Sequence, residues 1–129
     1  MNVWLIDDSE TDILYEQIVI EGTSPGAVVR SFESAHDALD ELRKPDAHWP
    51  HLILLDINMP RMTGFEFLDA FETLPADCRA ATRLVMVSSS PLAADRDRAM
   101  SYHSVRDYLT KPISPSQMSS TFGAMEHRP

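Results

Sequence analysis

Apolar residues gather along the chain in five short runs, each ending where polarity switches abruptly. Val3-Trp4-Leu5-Ile6 comes first and stops at Asp7-Asp8-Ser9, and Ala27-Val28-Val29-Arg30-Ser31 is the second. The third lies within His51 to Ile57, where four aliphatic residues, Leu52 to Leu55, follow one another without alternation. An unbroken run of that kind suits a strand buried on both faces, and Pro60 and Gly64 then force a loop. Leu84-Val85-Met86-Val87 and Val105 to Thr110 complete the set.

Helical spacing fills the intervals. Ser9 or Thr11 can cap a first helix whose apolar side is expected from Ile13, Leu14 and Ile18, before Gly22 and Pro25 end it. Ser34 opens a second, in which Ala35, Ala38, Leu39 and Leu42 follow the i, i+3, i+4, i+7 rule and Pro45 stops the run. Lys44 to Pro50 is polar apart from Ala47 and Trp49 and reads as a surface connection. Phe67, Leu68, Phe71 and Leu74 give a third helix closed by Pro75. Ser90 as N-cap with Pro91 at the first helical position predicts a fourth, about Leu92 to Tyr102, charged enough to be the most exposed. A fifth begins near Ser114 and sets Met118, Phe122 and Met125 on one face, spacing that suits core packing.

Strands alternating with helices predict an α/β fold, a doubly wound five-stranded parallel sheet with helices on both faces. The flavodoxin-like order 2-1-3-4-5 has its switch point between strands one and three, and ligands of such sheets bind at the carboxyl ends of the strands. Those ends carry Asp7 and Asp8, Asp56, Ser88, and Lys111. Alone, each has a plain explanation: Asp56 as a turn former, Asp7 and Asp8 as acids before a helix N-terminus, Lys111 as a solvated lysine, Tyr108 as a core aromatic.

Composition narrows the function. Eleven basic against twenty acidic residues give a formal net charge of -9, which repels nucleic-acid phosphates. The apolar runs fall short of the roughly 20 residues a membrane helix needs, and no basic-apolar leader opens the chain, so a cytoplasmic protein is expected. A single cysteine, Cys78, suits a reducing compartment, and His36, His48, His51, His103 and His127 form no zinc-type cluster with it. The 129 residues fit one domain, with no repeat or interdomain linker.

Together the strand-end residues make chemical sense. Two unit charges about 4 Å apart cost ~4 kcal/mol at an effective dielectric near 20, so three carboxylates at one edge call for a cation. Mg²⁺ takes oxygen ligands and commonly uses one or two carboxylates with phosphate oxygens. A lysine and a hydroxyl opposite could hold the remaining oxygens of a phosphoryl group, whose transfer needs chiefly positioning and charge neutralisation.

Ile6-Asp7-Asp8-Ser9, Asp56-Ile57-Asn58-Met59-Pro60 with Gly64, Met86-Val87-Ser88-Ser89 and Tyr108-Leu109-Thr110-Lys111-Pro112 occur in that order. In this the chain resembles the receiver domains of two-component response regulators, including stand-alone CheY-like members, over nearly its whole length. The resemblance implies that Asp56 accepts phosphate from a phosphohistidine on a sensor histidine kinase or histidine phosphotransfer protein. It implies Mg²⁺ among Asp7, Asp8, Asp56 and the backbone carbonyl of Asn58, with Ser88 as switch hydroxyl and Tyr108 as switch aromatic. Lys111 is implied as the phosphoryl-binding lysine, before a cis Pro112. Ser89 departs from the usual alanine, and Asn58 and Ser90 occupy positions that the family uses to tune how fast the acyl phosphate hydrolyses.

Three rivals are weaker. A haloacid dehalogenase-type phosphatase needs a general acid two residues after its nucleophile, where this chain has Asn58. A Rossmann module wants G-x-G-x-x-G after strand one, where Asp-Asp-Ser would repel a pyrophosphate. A phosphorylation-independent scaffold would be expected to lack an acceptor, metal or lysine position, and none is missing. No turnover enzyme is expected. Since Pro129 follows closely on the fifth helix, no DNA-binding effector domain is expected either; output would pass by contact with a downstream protein target or by phosphorelay, unless the chain is an excised receiver of a larger regulator. A second copy of the chain is the remaining partner considered.

Overall fold

The structure is a computed structural model that describes residues 1–126. Its strands are β1 (Asn2–Ile6), β2 (Val28–Phe32), β3 (Leu52–Asp56), β4 (Arg83–Ser88) and β5 (Val105–Thr110). Its helices are α1 (Glu10–Thr23), α2 (Ala35–Leu42), α3 (Gly64–Phe71), α4 (Ala76–Ala81), α5 (Ala93–Met100) and α6 (Pro115–Glu126). All strand pairs are parallel in the order β2-β1-β3-β4-β5, the doubly wound arrangement expected from the alternation.

Side-chain alternation sorts the sheet into two cores. Trp4 and Ile6 of β1, Ile53 and Leu55 of β3, and Leu84 and Met86 of β4 face α2, α3 and α5; Val3, Leu5, Leu52, Leu54, Val85 and Val87 face α1 and α6. All five residues of β3 are buried, which is why it carries no polar alternation until Asp56. His51 stays outside, and its Nδ1 accepts from the Asn2 backbone N–H at 3.0 Å. Between β4 and β5 the register slips: Leu84 pairs with Val105 but Val85 with Asp107, leaving Arg106 bulged.

Three expectations need correction. The buried face of α1 is Ile13, Glu16, Val19 and Ile20, whereas Leu14 and Ile18 are 61% and 63% exposed. The helix carries apolar residues on two sides, and the side aligned on the sheet includes an acid, which disguises it. Ser90 does not cap α5, whose N-cap is Leu92. Ser90 Oγ instead accepts from the Leu92 N–H at 3.2 Å and donates to Asp95 at 2.7 Å, so Pro91 belongs to a loop turned by Ser90 rather than to the first helical turn. Last, six helices form among the described residues rather than five, because Ala76–Ala81 winds into the short α4 after Pro75 and buries Cys78.

The other caps follow the sequence. Ser9 Oγ accepts from the Asp12 N–H at 3.3 Å, Thr63 and Glu66 form a complete capping box on α3, and Ser114 and Gln117 exchange equivalent bonds at the start of α6. The expected exposure of α5 holds, Ala99 being its one buried residue.

Candidate functional site

Parallel strands deliver their carboxyl ends to one edge of the sheet, and the β1–β3 switch point sets Asp7 and Asp8 beside Asp56. One oxygen from each of these three carboxylates lies within 4.8 Å of the others. Asp7 is buried and oriented by the Ser9 N–H, which donates to its Oδ1 at 2.9 Å; Asp8 is exposed at the rim. Among the described residues this is the one group able to hold a metal ion, and no histidine joins it; His127 lies outside them. Its donors are all oxygens, the set that a hard cation such as Mg²⁺ prefers. Asn58 is exposed, two residues beyond Asp56 and between the buried Ile57 and Met59.

Lys111 closes the opposite side. Its Nζ is 2.7 Å from Asp7 Oδ2, 2.9 Å from Asp12 Oδ2 and 3.4 Å from Asp56 Oδ1. Burial lowers the affinity of this ammonium for its proton, but the hydrogen bonds to Asp7 and Asp12 outweigh it and hold the group above its ordinary range. Asp56 responds in the other direction. Burial, then the charge of Asp7, push its carboxyl up to about 6, against the pull of Lys111.

The Lys111 backbone N–H donates to the Ser88 carbonyl at 2.8 Å, which carries the β4–β5 ladder one step beyond the strands, and the Lys111-Pro112 peptide bond is cis. Ser88 is fully buried on the strand next to Asp56, and its Oγ accepts from the Ser90 N–H at 3.0 Å. Tyr108 is 5% exposed, with its hydroxyl buried and without a hydrogen-bond partner among the described residues. The Arg96 guanidinium lies 5.8 Å from its ring centroid.

The loop after β3 is held tightly. Gly64 donates from its backbone N–H to the Ile57 carbonyl at 2.8 Å. The Met62 N–H reaches the Pro60 carbonyl at 2.8 Å across Arg61, whose φ of 68° is a strained conformation for a residue with a side chain.

The chain matches the response regulator receiver domain over residues 3–122. It belongs to that family. A two component response regulator from Cytophaga hutchinsonii superposes with a TM-score of 0.90 at 25% identity, covering 98% of this chain and 97% of the other. A response regulator receiver protein from Dyadobacter fermentans DSM 18053 gives 0.86 at 31% identity, covering 98% of each. The sensor protein GacS of Pseudomonas syringae pv. syringae is 27% identical over 90% of this receiver domain, which spans only 12% of that protein's length. Receiver domains bind Mg²⁺ at an acidic pocket, and the Asp7, Asp8 and Asp56 cluster is compatible with one. No helix among the described residues is long and apolar enough to cross a membrane.

Asp7, Asp8, Asp56 and Lys111 thus meet at one sheet edge, with Ser88 on the neighbouring strand and Tyr108 farther down β5. Two more acids of the pocket were not expected from the sequence. Asp12 reaches Lys111 from the first turn of α1, and Glu16, one turn on, is 3% exposed with its carboxyl pushed up to about 8, first by burial and then by the charge of Asp7. An acid standing three residues from Ile13 and from Val19, in line with the buried stripe, was the available signal.

Proposed function

We propose that this receiver domain takes a phosphoryl group onto Asp56 from the phosphohistidine of a sensor histidine kinase or histidine phosphotransfer protein. The observation that carries the reading is the meeting of three carboxylates and one lysine at the carboxyl edge of the sheet, on a chain of this family. An Asp56 oxygen forms the new O–P bond as the P–N bond breaks. The electron pair of that bond stays with the imidazole nitrogen, which takes up a proton.

Asp7, Asp8, Asp56 and the Asn58 carbonyl would hold Mg²⁺, which when bound neutralises phosphoryl charge. Lys111 presents its ammonium from the other side, and the Ser88 hydroxyl, whose oxygen accepts from the Ser90 N–H, has its own O–H to donate to a phosphoryl oxygen. With Asp56 titrating near 6, the nucleophile is mostly ionised at neutral pH. The chain uses up the phosphoryl donor once per cycle and is no turnover enzyme.

A phosphoryl group adds roughly -1.5 to -2 charges, enough to draw Ser88 and Lys111 toward it. Movement of Ser88 on β4 and of Tyr108 on β5 would then remodel the surface formed by α5, β5 and α6, where Arg96, Arg98, Tyr102, Arg106 and Asp107 offer mixed charge to a downstream protein. Residues 1–129 act in this reading as one receiver unit in the cytoplasm, signalling by contact or relay, with a second copy as a further partner.

Intact-mass measurement after incubation with acetyl phosphate tests the site. The wild type should gain one phosphoryl group, and EDTA should prevent it. A gain that persists in Asp56→Ala, or that ignores EDTA, would sink the assignment.

A further inference from the structure

Lysine has three N–H donors, and here Nζ spends two of them in hydrogen bonds to Asp7 at 2.7 Å and Asp12 at 2.9 Å, while Asp56 lies in ion-pair range at a longer 3.4 Å. Asp7 and Asp56 belong to the metal group. Asp12 does not. It stands at the third position of α1, three residues after the Ser9 cap, where an acidic side chain ordinarily folds back onto the N-cap backbone N–H. Glu66 does so in α3, its Oε1 accepting from the Thr63 N–H at 3.0 Å. In α1 that donor is already taken, because the Ser9 N–H gives its hydrogen bond to Asp7. The Asp12 carboxylate is thereby released from capping and spans to Lys111, 99 residues away in sequence.

We propose that Asp12 is a positioning residue that holds Lys111 back from the phosphoryl group, so that the Asp12–Lys111 ion pair sets how readily Asp56 becomes phosphorylated. The inference rests on Asp56 being the acceptor. A phosphoryl group on Asp56 needs a donor from Lys111, and of the three carboxylates Asp12 is the one that can yield it. Asp7 is 3% exposed in its side chain and pairs with no cation but Lys111 among the described residues, whereas Asp12 is 42% exposed and can be rehydrated. Release requires no movement of the helix. The Tyr15 hydroxyl donates to the Ile113 carbonyl at 2.9 Å and ties α1 to the segment after Lys111 independently of the ion pair.

Beryllofluoride with saturating Mg²⁺ is the probe, since it reports binding without turnover of the acyl phosphate. Asp12→Asn should bind it tighter than wild type by on the order of threefold, the range a half-exposed ion pair commands. Mg²⁺ alone should bind Asp12→Asn no tighter than wild type, because a freed Lys111 leans further onto Asp7 and Asp56. Asp12→Glu should return beryllofluoride affinity toward the wild-type value. Glu10→Gln removes an equal charge from the same helical turn without touching Lys111, and should leave it unchanged.

Equal or weaker beryllofluoride binding by Asp12→Asn overturns the inference, as does an equal gain in Glu10→Gln, which would make the effect one of bulk charge. Failure of the wild type itself to bind beryllofluoride with Mg²⁺ overturns the phosphoacceptor reading and this inference with it.

Discussion

Gly64 presses its backbone against the end of β3: a Cβ there would lie 2.9 Å from Ile57 Cα and closer still to the carbonyl oxygen of Asp56. The first turn of α3 therefore packs directly on the peptide that carries the acidic side chain, and neither backbone can yield without moving the other. Gly64→Ala should destabilise the fold by about 1–3 kcal/mol, the usual cost of overpacking. Urea denaturation measures it, and an unchanged midpoint would show that the loop has slack.

Asp8 is exposed and adds charge to a crowded edge, so its removal should relieve repulsion rather than remove packing. Asp8→Ala is expected to melt at or above the wild-type temperature in EDTA, and to lose the stabilisation that Mg²⁺ gives wild type, ~2.7 kcal/mol at a hundredfold excess over Kd. Lower stability in EDTA would assign Asp8 a structural role at the start of α1.

Glu16 makes stability depend on pH in an unusual direction for an acid. Its folded carboxyl titrates near 8 against an ordinary 4.5, so the stabilisation from the bound proton is complete below 4.5 and lost as pH rises through 8. Glu16→Gln, which cannot ionise, should flatten the decline between pH 6.5 and 8.5, by a few kcal/mol at most. Asp56 follows the same sign lower down, between 3.8 and about 6, and does so in both proteins. Identical stability profiles above pH 6.5 would place the Glu16 carboxyl in contact with water.

Tyr108 buries a hydroxyl that no described residue satisfies. Leaving such a group unpaired costs ~1–3 kcal/mol, so Tyr108→Phe, which keeps the ring in the core it shares with Met86 and Val105, should stabilise the unphosphorylated protein by about 1 kcal/mol. A loss of stability on thermal denaturation would mean that the hydroxyl finds a partner in solution.

Much of this architecture is legible in the residues. The unbroken Leu52 to Leu55 run marks β3 because a strand covered on both faces has no reason to alternate, and the strand-end acids follow from parallel topology. What escaped has physical causes. Helix α1 shows two apolar sides, and choosing between them needs the sheet; Glu16 on the inner side makes the wrong one look better. Ser90-Pro91 satisfies a helix-start rule, but the Ser90 hydroxyl is engaged by Asp95 and the turn begins two residues later. Asp12 could not be read as a partner of Lys111, since nothing local signals a contact made across 99 positions.

The bulge at Arg106 bears on where β5 can change length. Val105 and Tyr108 lie three residues apart yet enter the same core, which strict alternation forbids; the bulged residue supplies the missing half-period. A deletion of Arg106 can therefore be absorbed by straightening the strand, with Val85 still opposite Asp107 and Ser88 still opposite Thr110. One residue lost between Tyr108 and Lys111 has no such reserve: it would invert the strand beyond that point and turn the lysine away from the acids.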